Sequence, residues 1–539
     1  MVDRPLYSDY HVHMESLVAA RTMEQIDLDT QNIHGIPALV LMEQAGIRGW
    51  ATLCTSVEGG LPIGTRLVFV AGGGNNGGDA LVMARQAVHD GFSRVTVLLI
   101  GSRTSTSCAI QRRIVRSLGL DIHENEENAE GPDQVTIKTI AEADILIDGL
   151  AGTGLRGSLS GLAANIAALM NERKDQGGSI WSIDIPSGCC DTLGIAHPHV
   201  RADVTVTMGL YKYAAFHPAS RSAWGKILKV NPCFVPQVLS QAPAAALLCT
   251  DSDAVIPVIG EESYKNRRGH LGLFAGSKAY SGAPRLASRS AFHARCGLVT
   301  LCCTADIAAI VSQESPSVIV HALAHAEILP AEQLARDFQA IAAGPGWGPT
   351  HLEQLLEILA SGLPVLLDAD AIALFAQAVA EKRIGHKEHG PLVLSPHPGE
   401  LHRMLERLSM PLLAQETGNS GTPESFIDSM QKVARSFEAV LAYRSHVVWI
   451  FDGRQDHSVP VVVDGMNSSL GVAGSGDVFA GILAAFLAQG MDVAQATQGA
   501  ALVHQKAGIL ARAEHGWFDS EELSRHVGHA CRALERVGS

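Results

Sequence analysis

Two glycine-rich segments about four hundred residues apart carry the residue types that hold an anion beside a carboxylate. The first reads Gly72-Gly73-Gly74-Asn75-Asn76-Gly77-Gly78-Asp79, between the apolar run Leu67-Val68-Phe69-Val70 and the helical pattern Leu81-Val82-Met83-Ala84-Arg85. The second reads Gly474-Ser475-Gly476-Asp477 and runs into Val478-Phe479-Ala480-Gly481-Ile482-Leu483. Glycines let backbone N–H groups approach an anion, and a helix opening behind them aims the positive end of its dipole at the same point. The aspartate closing each cradle adds a group able to exchange a proton with a substrate. The chemistry expected is the handling of nucleotide-like molecules at two separate places.

Two further segments join the first cradle. They are Asp148-Gly149-Leu150-Ala151-Gly152-Thr153-Gly154 and Asp184-Ile185-Pro186-Ser187-Gly188. Singly, glycine and aspartate at a strand end are turn and cap residues. Three such ends in a parallel sheet face one crevice, so together they mark a site. The second cradle has its own companions in Gly276-Ser277, Tyr280-Ser281-Gly282-Ala283, Gly344-Pro345-Gly346-Trp347-Gly348, Leu367-Asp368-Ala369-Asp370 and Ser395-Pro396-His397-Pro398-Gly399-Glu400.

The elements that must position these residues alternate as short apolar runs and helical patterns, the signature of a parallel sheet with crossover helices. In the first half strands are expected at 66–70, 94–100, 144–148, 179–184 and 204–208, after helices over 23–45 broken at Gly35-Ile36-Pro37. From 235 to about 263 the rhythm is lost among Pro236, Pro243 and Pro257, which places a boundary there. The second half is expected to carry strands at 270–276, 298–303, 341–344, 364–368, 392–395, 440–450 and 459–463, closed by helices over 477–488 and 493–511. The domains so drawn are 1–235, a linker 236–262, and 263–539.

The first trio of motifs, with Leu41-Met42-Glu43-Gln44-Ala45-Gly46 and Ala202-Asp203-Val204-Thr205-Val206-Thr207, resembles the NAD(P)H-hydrate epimerase domain. The resemblance implies that Asn75, Asn76, Gly77, Gly78 and Asp79, with Gly152, Thr153, Gly154, Leu155, Arg156, Gly157 and Ser158, hold the hydrated nicotinamide dinucleotide. It further implies that Asp184 faces that substrate and that Asn76, Asp148 and Ser187 bind potassium; the C6 epimerisation so implied calls for a carboxylate as acid or base, with Asp184 the first candidate, Asp79 the second, and Lys212 a candidate for charge stabilisation. Ala80 stands where that family usually has glycine, a mild change at a helix start.

The second set resembles the ADP-dependent NAD(P)H-hydrate dehydratases of the ribokinase-like superfamily. What it implies is phosphoryl transfer from ADP, with Mg²⁺, to the C6 hydroxyl of the hydrate, then loss of phosphate with release of AMP. Asp477 becomes the general base; Ala283, Gly346, His397 and Asp477 meet the hydrate, and Gly474, Ser475 and Gly476 meet the nucleotide. One departure stands out. Where that family places Lys-Gly-x-x-Thr against the nucleotide, this chain reads Ala442-Tyr443-Arg444-Ser445-His446, leaving Arg444 as the replacement charge and Tyr443 as a crowding side chain.

Together the resemblances imply an α/β chain, a Rossmann-like three-layer αβα domain followed by a ribokinase-like α/β domain. The expected function is repair of the hydrates NADHX and NADPHX by epimerisation and ADP-dependent dehydration, in a cytoplasmic homo-oligomer. Three other readings stay open on the residues: a small-molecule kinase fused to a nucleotide-binding domain, a binding or scaffold protein, and an epimerase whose dehydratase half is impaired. The 539 residues are 47% apolar and 18% charged, an ordinary globular balance. A net charge of −14, without a lysine-rich or arginine-rich run, argues against a nucleic-acid partner. No apolar run reaches the ~20 residues that span a bilayer, and residues 1–13 lack the apolar core of a signal peptide. The ten cysteines form no CxxC pair and read as reduced, buried thiols. His11 with His13, and His321 with His325, lack the further partners a metal site needs.

Overall fold

The structure, a computed structural model, describes residues 14–125, 131–192, 195, 197–314, 316–324, 327–411 and 422–535. His11, His13 and His325 lie outside the described residues. The chain divides into two compact units, one of Ser16–Ala246 with Asn419–Ser425, the other of Met1–Glu15, Leu247–Gly418 and Phe426–Ser539.

The first unit is built on seven parallel strands in the order Asp121–Asn125, Val95–Ile100, Leu67–Ala71, Ile145–Gly149, Ser179–Ile183, Val204–Met208, Lys226–Val230. Side chains alternate across a strand, and here the alternation separates two cores. Leu67, Phe69, Ala71, Val97 and Leu99 pack with the helices Ala20–Asn32, Ala38–Thr55, Asn75–His89 and Thr106–Ser117. Val68, Val70, Leu98 and Leu146 pack on the other face with Gln134–Glu142 and Gly161–Asp175. Three αβα layers result. The helix break expected at Gly35-Ile36-Pro37 separates Ala20–Asn32 from Ala38–Thr55. Strands Asp121–Asn125 and Lys226–Val230 escaped the sequence reading, because polar and charged residues interrupt their apolar alternation.

Chain order reverses between Leu67–Ala71 and Ile145–Gly149: later strands add outward on one side to Asp121–Asn125 and on the other to Lys226–Val230. Such a reversal splays the two following crossovers apart and opens a crevice at the carboxyl edge. The first cradle and the segment after Asp148 flank it.

The second unit repeats the plan. Its parallel strands run Ile319–Leu323, Leu298–Thr304, His270–Phe274, Ala340–Ala343, Val365–Leu367, Leu392–Leu394, Val440–Arg444, and the sheet continues antiparallel through Val447–Asp452 and Val461–Asp464. The run 440–450, expected as one strand, is a hairpin. Arg444-Ser445-His446 interrupts the apolar alternation, and the Ser445 hydroxyl donates to the Val447 carbonyl at 2.8 Å across the turn. Buried helices Gly282–His293, Ser475–Ala488 and Val493–His515 cover one face, and a further helix, Ser520–Glu535, follows the two that were expected to close the domain. Among the described residues no helix is long and apolar enough to cross a membrane.

Candidate functional site

Both glycine cradles are themselves the first turns of helices rather than loops before them. Helix Asn75–His89 starts at Asn75, with Gly74 as its N-cap, and helix Ser475–Ala488 starts at Ser475 after Gly474. Free N–H groups of the first turn therefore point into each crevice. Glycine is required at Gly77, where a Cβ would lie 2.0 Å from the Gly72 carbonyl oxygen, and at Gly474, whose φ is +87°.

The first crevice is a cavity of about 550 Å³ in the first unit. Asn75, Asn76, Asp79, Gly152, Thr153, Gly154, Leu155 and Asp184 line it, so three distant strand ends meet as expected of one sheet edge. Gly77 and Gly78 do not line it; they pack against Gly72 and Met42 and let the helix seat. Arg156 points to Glu24, 3.3 Å away, and Gly157 and Ser158 also fall outside the lining. Lys212 and, from helix Ala20–Asn32, Asp27 complete the polar wall. Asp27 sits in no motif, and nothing local in the sequence marks it.

Asp184 holds the floor. Its backbone is left-handed, φ 64°, a conformation costly for most residues and most tolerable for Asp or Asn. Its carboxylate accepts from the Met208 N–H at 3.0 Å and forms an ion pair with Lys212. The Lys212 side chain is 1% exposed and also donates to Thr207 Oγ1 and the Met208 carbonyl, each at 2.9 Å. Asp79 is different. Burial, with the carboxylates of Asp184 and Asp27 next in weight, pushes its acid well above the usual range, so it favours the neutral form. One cavity thus holds an ion-paired carboxylate and a carboxyl biased toward its acid. Removing the cation from the pair strands a buried charge: Lys212→Met is expected to cost about 3–5 kcal/mol, read as a lower urea midpoint for the first unit.

Behind the wall, Asp148 is fully buried and accepts four hydrogen bonds, from Ser182 Oγ at 2.8 Å, Ser187 Oγ at 2.6 Å, and the N–H groups of Ser187 at 2.9 Å and Leu150 at 3.2 Å. Asn76 donates to the Ala151 carbonyl at 3.1 Å, while its Oδ1 is buried with no hydrogen-bond partner. Cys189 and Cys190 are buried beside this point, and burial pushes the Cys189 thiol up, away from reactivity.

The second cavity, about 500 Å³, lies in the second unit. Gly474, Ser475, Gly476, Asp477, His397 and Arg444 line it with Asp368, Glu400 and His504. Ala283 and Gly346 do not. They lie side by side at the chain-order reversal between His270–Phe274 and Ala340–Ala343, a Cβ on Gly346 coming 3.2 Å from that of Ala283.

Strand alternation settles the unusual segment. Tyr443 is buried on the far face against Phe426, ring centroids 5.5 Å apart, and crowds nothing in the cavity. Arg444 shares the face of Ala442 and enters the cavity. Its Nη2 lies 2.5 Å from Asp368 Oδ1, its Nε donates to the Ser395 carbonyl at 2.8 Å, and its guanidinium stands 5.3 Å over Phe479. A Cβ on Gly476 would lie 2.7 Å from Arg444 Nη1, so the cation is in contact range of the cradle. Asp477 is pushed up to about 7, by burial first and the Asp368 carboxylate second, with Arg444 opposing. His397 caps helix Pro398–Arg407, its Nδ1 accepting from the Gly399 N–H at 3.0 Å in a reciprocal box with Glu400. His504, unsignalled in the sequence, sits under the cradle with Nε2 3.0 Å from the Ser475 carbonyl oxygen; burial and Arg444 hold it neutral, its pKa lowered to about 4.

Comparison with known proteins finds relatives for both halves of the chain. The family model described as NAD(P)H-hydrate dehydratase matches residues 271–528, and that described as YjeF-related protein N-terminus matches residues 38–214. The chain is 30% identical to the bifunctional NAD(P)H-hydrate repair enzyme Nnr of Mycobacterium leprae (strain TN) across 97% of this chain and 99% of that one. It is 29% identical to the enzyme of the same name from Moorella thermoacetica, across 93% of each. Among solved structures it is similar to the ADP/ATP-dependent NAD(P)H-hydrate dehydratase of Bacillus subtilis co-crystallised with ATP and Mg²⁺, at 23% identity and a TM-score of 0.43, covering 53% of this chain and 96% of that one. An epimerase-type first unit and a dehydratase-type second unit in one polypeptide place the chain in a single family: it belongs to the bifunctional NAD(P)H-hydrate repair enzymes.

Proposed function

We propose that the first cavity exchanges the R and S hydrates of NADH and NADPH and that the second, separately, dehydrates the S hydrate at the expense of ADP. The observation that carries the division of labour is the different electrostatic setting of the carboxylates in the two cavities. Asp184 is held as an ion pair beside the acid-biased Asp79, whereas Asp477 is poised near neutrality beside Arg444.

In the first cavity, inverting C6 means breaking one C6–O bond and making another on the opposite face. Asp79 gives its proton to the departing hydroxyl, which leaves as water while the ring nitrogen lone pair sustains the electron-poor C6. Asp184 takes a proton from the water that adds to the other face, and Lys212 holds the Asp184 carboxylate in place. The buried, unpartnered Asn76 Oδ1 and the buried Asp148 carboxylate suit a hard cation. Potassium would be held by Asn76, Asp148 and Ser187, where it supplies a fixed charge tying the two crevice loops together.

In the second cavity Asp477 takes the proton of the C6 hydroxyl as that oxygen attacks the β-phosphoryl group of ADP, releasing AMP. The C6–O bond then breaks as phosphate leaves, and the departing phosphate takes the C5 proton as the C5–H electron pair becomes the C5–C6 double bond. N–H groups of the Gly474, Ser475 and Gly476 turn face the phosphates, and Arg444 supplies the side-chain cation that Ala442 does not. Mg²⁺ would be held by Asp368 and Glu400, which share the cavity wall, and would supply charge neutralisation to the phosphates.

Arg444 carries two separable effects and so gives the test. Asp477 works as a base only when ionised, so the dehydration rate is expected to rise with pH through about 7. Arg444→Gln removes the cation that favours the ionised form, so the rising limb moves to higher pH, and the KM for ADP rises at least about tenfold, the loss of one charge-assisted contact. A pH–rate series at several ADP concentrations reads both, and an unmoved limb with unchanged KM would remove Arg444 from the nucleotide site.

A further inference from the structure

Outside both cavities, the end of helix Val493–His515 and the middle of helix Ser520–Glu535 bring Glu514, His515, Glu522 and His526 together. One ligand atom from each of Glu514, His515 and His526 lies within 4.8 Å of the others. The individual separations are 3.0 Å for His526 Nε2 to Glu514 Oε2, 3.8 Å for His515 Nε2 to Glu514 Oε1, and 3.6 Å for His515 Nε2 to Glu522 Oε2. A tetrahedral zinc ion with bonds of about 2.0–2.1 Å sets its ligand atoms about 3.4 Å apart. The observed edges straddle that value.

The seating of the His526 ring adds to this geometry. The ring is 5% exposed, and its Nδ1 lies 2.9 Å from the Glu522 carbonyl oxygen, which can only accept, so Nδ1 carries the proton and donates. The other ring nitrogen, Nε2, faces the Glu514 carboxylate 3.0 Å away. Anchoring of one ring nitrogen by a backbone carbonyl is what fixes the tautomer and aim of a metal-binding histidine.

We propose that Glu514, His515 and His526 form a site for a zinc-class divalent ion, with water as the fourth ligand, clamping the last helix to its predecessor. Two imidazoles and carboxylate oxygen favour Zn²⁺ or Co²⁺ over Mg²⁺, which distinguishes this site from any magnesium requirement of phosphoryl transfer. None of these residues lines either cavity. The role is therefore structural.

The test is titration of the chelator-treated full-length protein with Co²⁺, followed by visible spectroscopy, then displacement by Zn²⁺ and a thermal melt. Expected are one Co²⁺ per chain with the intense d–d bands of tetrahedral coordination, full displacement by Zn²⁺, and a Zn²⁺-dependent rise in Tm. Glu514→Gln and His515→Ala, both at half-exposed or exposed positions where folding is undisturbed, weaken Co²⁺ binding at least about tenfold and abolish the Tm rise. Both hydrate-repair activities persist in these variants. Co²⁺ binding of the same affinity and spectrum in the parent and both variants overturns the proposal, as does the absence of tetrahedral bands in the parent.

Discussion

An Asp477→Asn enzyme, given the S hydrate and ADP, is expected to form dihydronicotinamide at least about a hundredfold more slowly than the parent while exchanging R and S hydrates at the parental rate. Loss of a positioned base costs on the order of 10²–10⁴ in rate. Asparagine keeps the size and the helix N-terminal position, so the change isolates the proton acceptor from the shape of the cradle. Near pH 7 the parent group is poised between its two forms, because burial and Asp368 raise it while Arg444 restrains it. A permanently neutral amide has no such poise. Spectrophotometry of dihydronicotinamide formation reads the result, and dehydration surviving at the parental rate would move the base elsewhere.

Asp184→Asn is expected to do the converse, slowing R-to-S exchange at least about a hundredfold and leaving ADP-dependent dehydration of pure S hydrate intact. The choice of asparagine matters structurally as well. Position 184 sits at φ 64°, where Asn is among the few side chains accommodated, and its amide oxygen still accepts from the Met208 N–H. Lys212 keeps Thr207 Oγ1 and the Met208 carbonyl as acceptors, but its buried charge loses the carboxylate, so the urea midpoint is measured beside the rate to separate lost chemistry from lost stability. Exchange followed by chromatographic separation of the epimers gives the rate.

Particular residues show what the sequence could and could not reveal. The crevice in the first unit was legible because its parts are strand ends: Asn75, Asn76 and Asp79, then 152–155, then Asp184, each announced by an apolar run and a glycine turn. Asp27 was not, because it belongs to a helix whose only visible property is its apolar face. The pairing of Arg444 with Asp368 spans 76 positions and depends on strand register, which no local pattern encodes. Whether Arg444 faced the site or the core rested on the parity of a hairpin turn, and 440–450 was read as one continuous strand. His504 is in a helix with buried residues on every side, and a histidine there has no sequence signal of its own. The helix Ser520–Glu535 escaped because it follows a run that already looked like a domain's close.

The account stands on two sites acting independently in one chain, and a mixing experiment tests that claim most directly. R hydrate and ADP are supplied to Asp184→Asn alone, to Asp477→Asn alone and to an equimolar mixture, and dihydronicotinamide is followed by absorbance. The prediction is that each variant alone is slow, the first because its R hydrate is not exchanged and the second because its S hydrate is not dehydrated. The mixture recovers a rate approaching that of the parent, the S hydrate passing between molecules through solution. A mixture no faster than the sum of the two variants, with either variant having lost both activities, would contradict it.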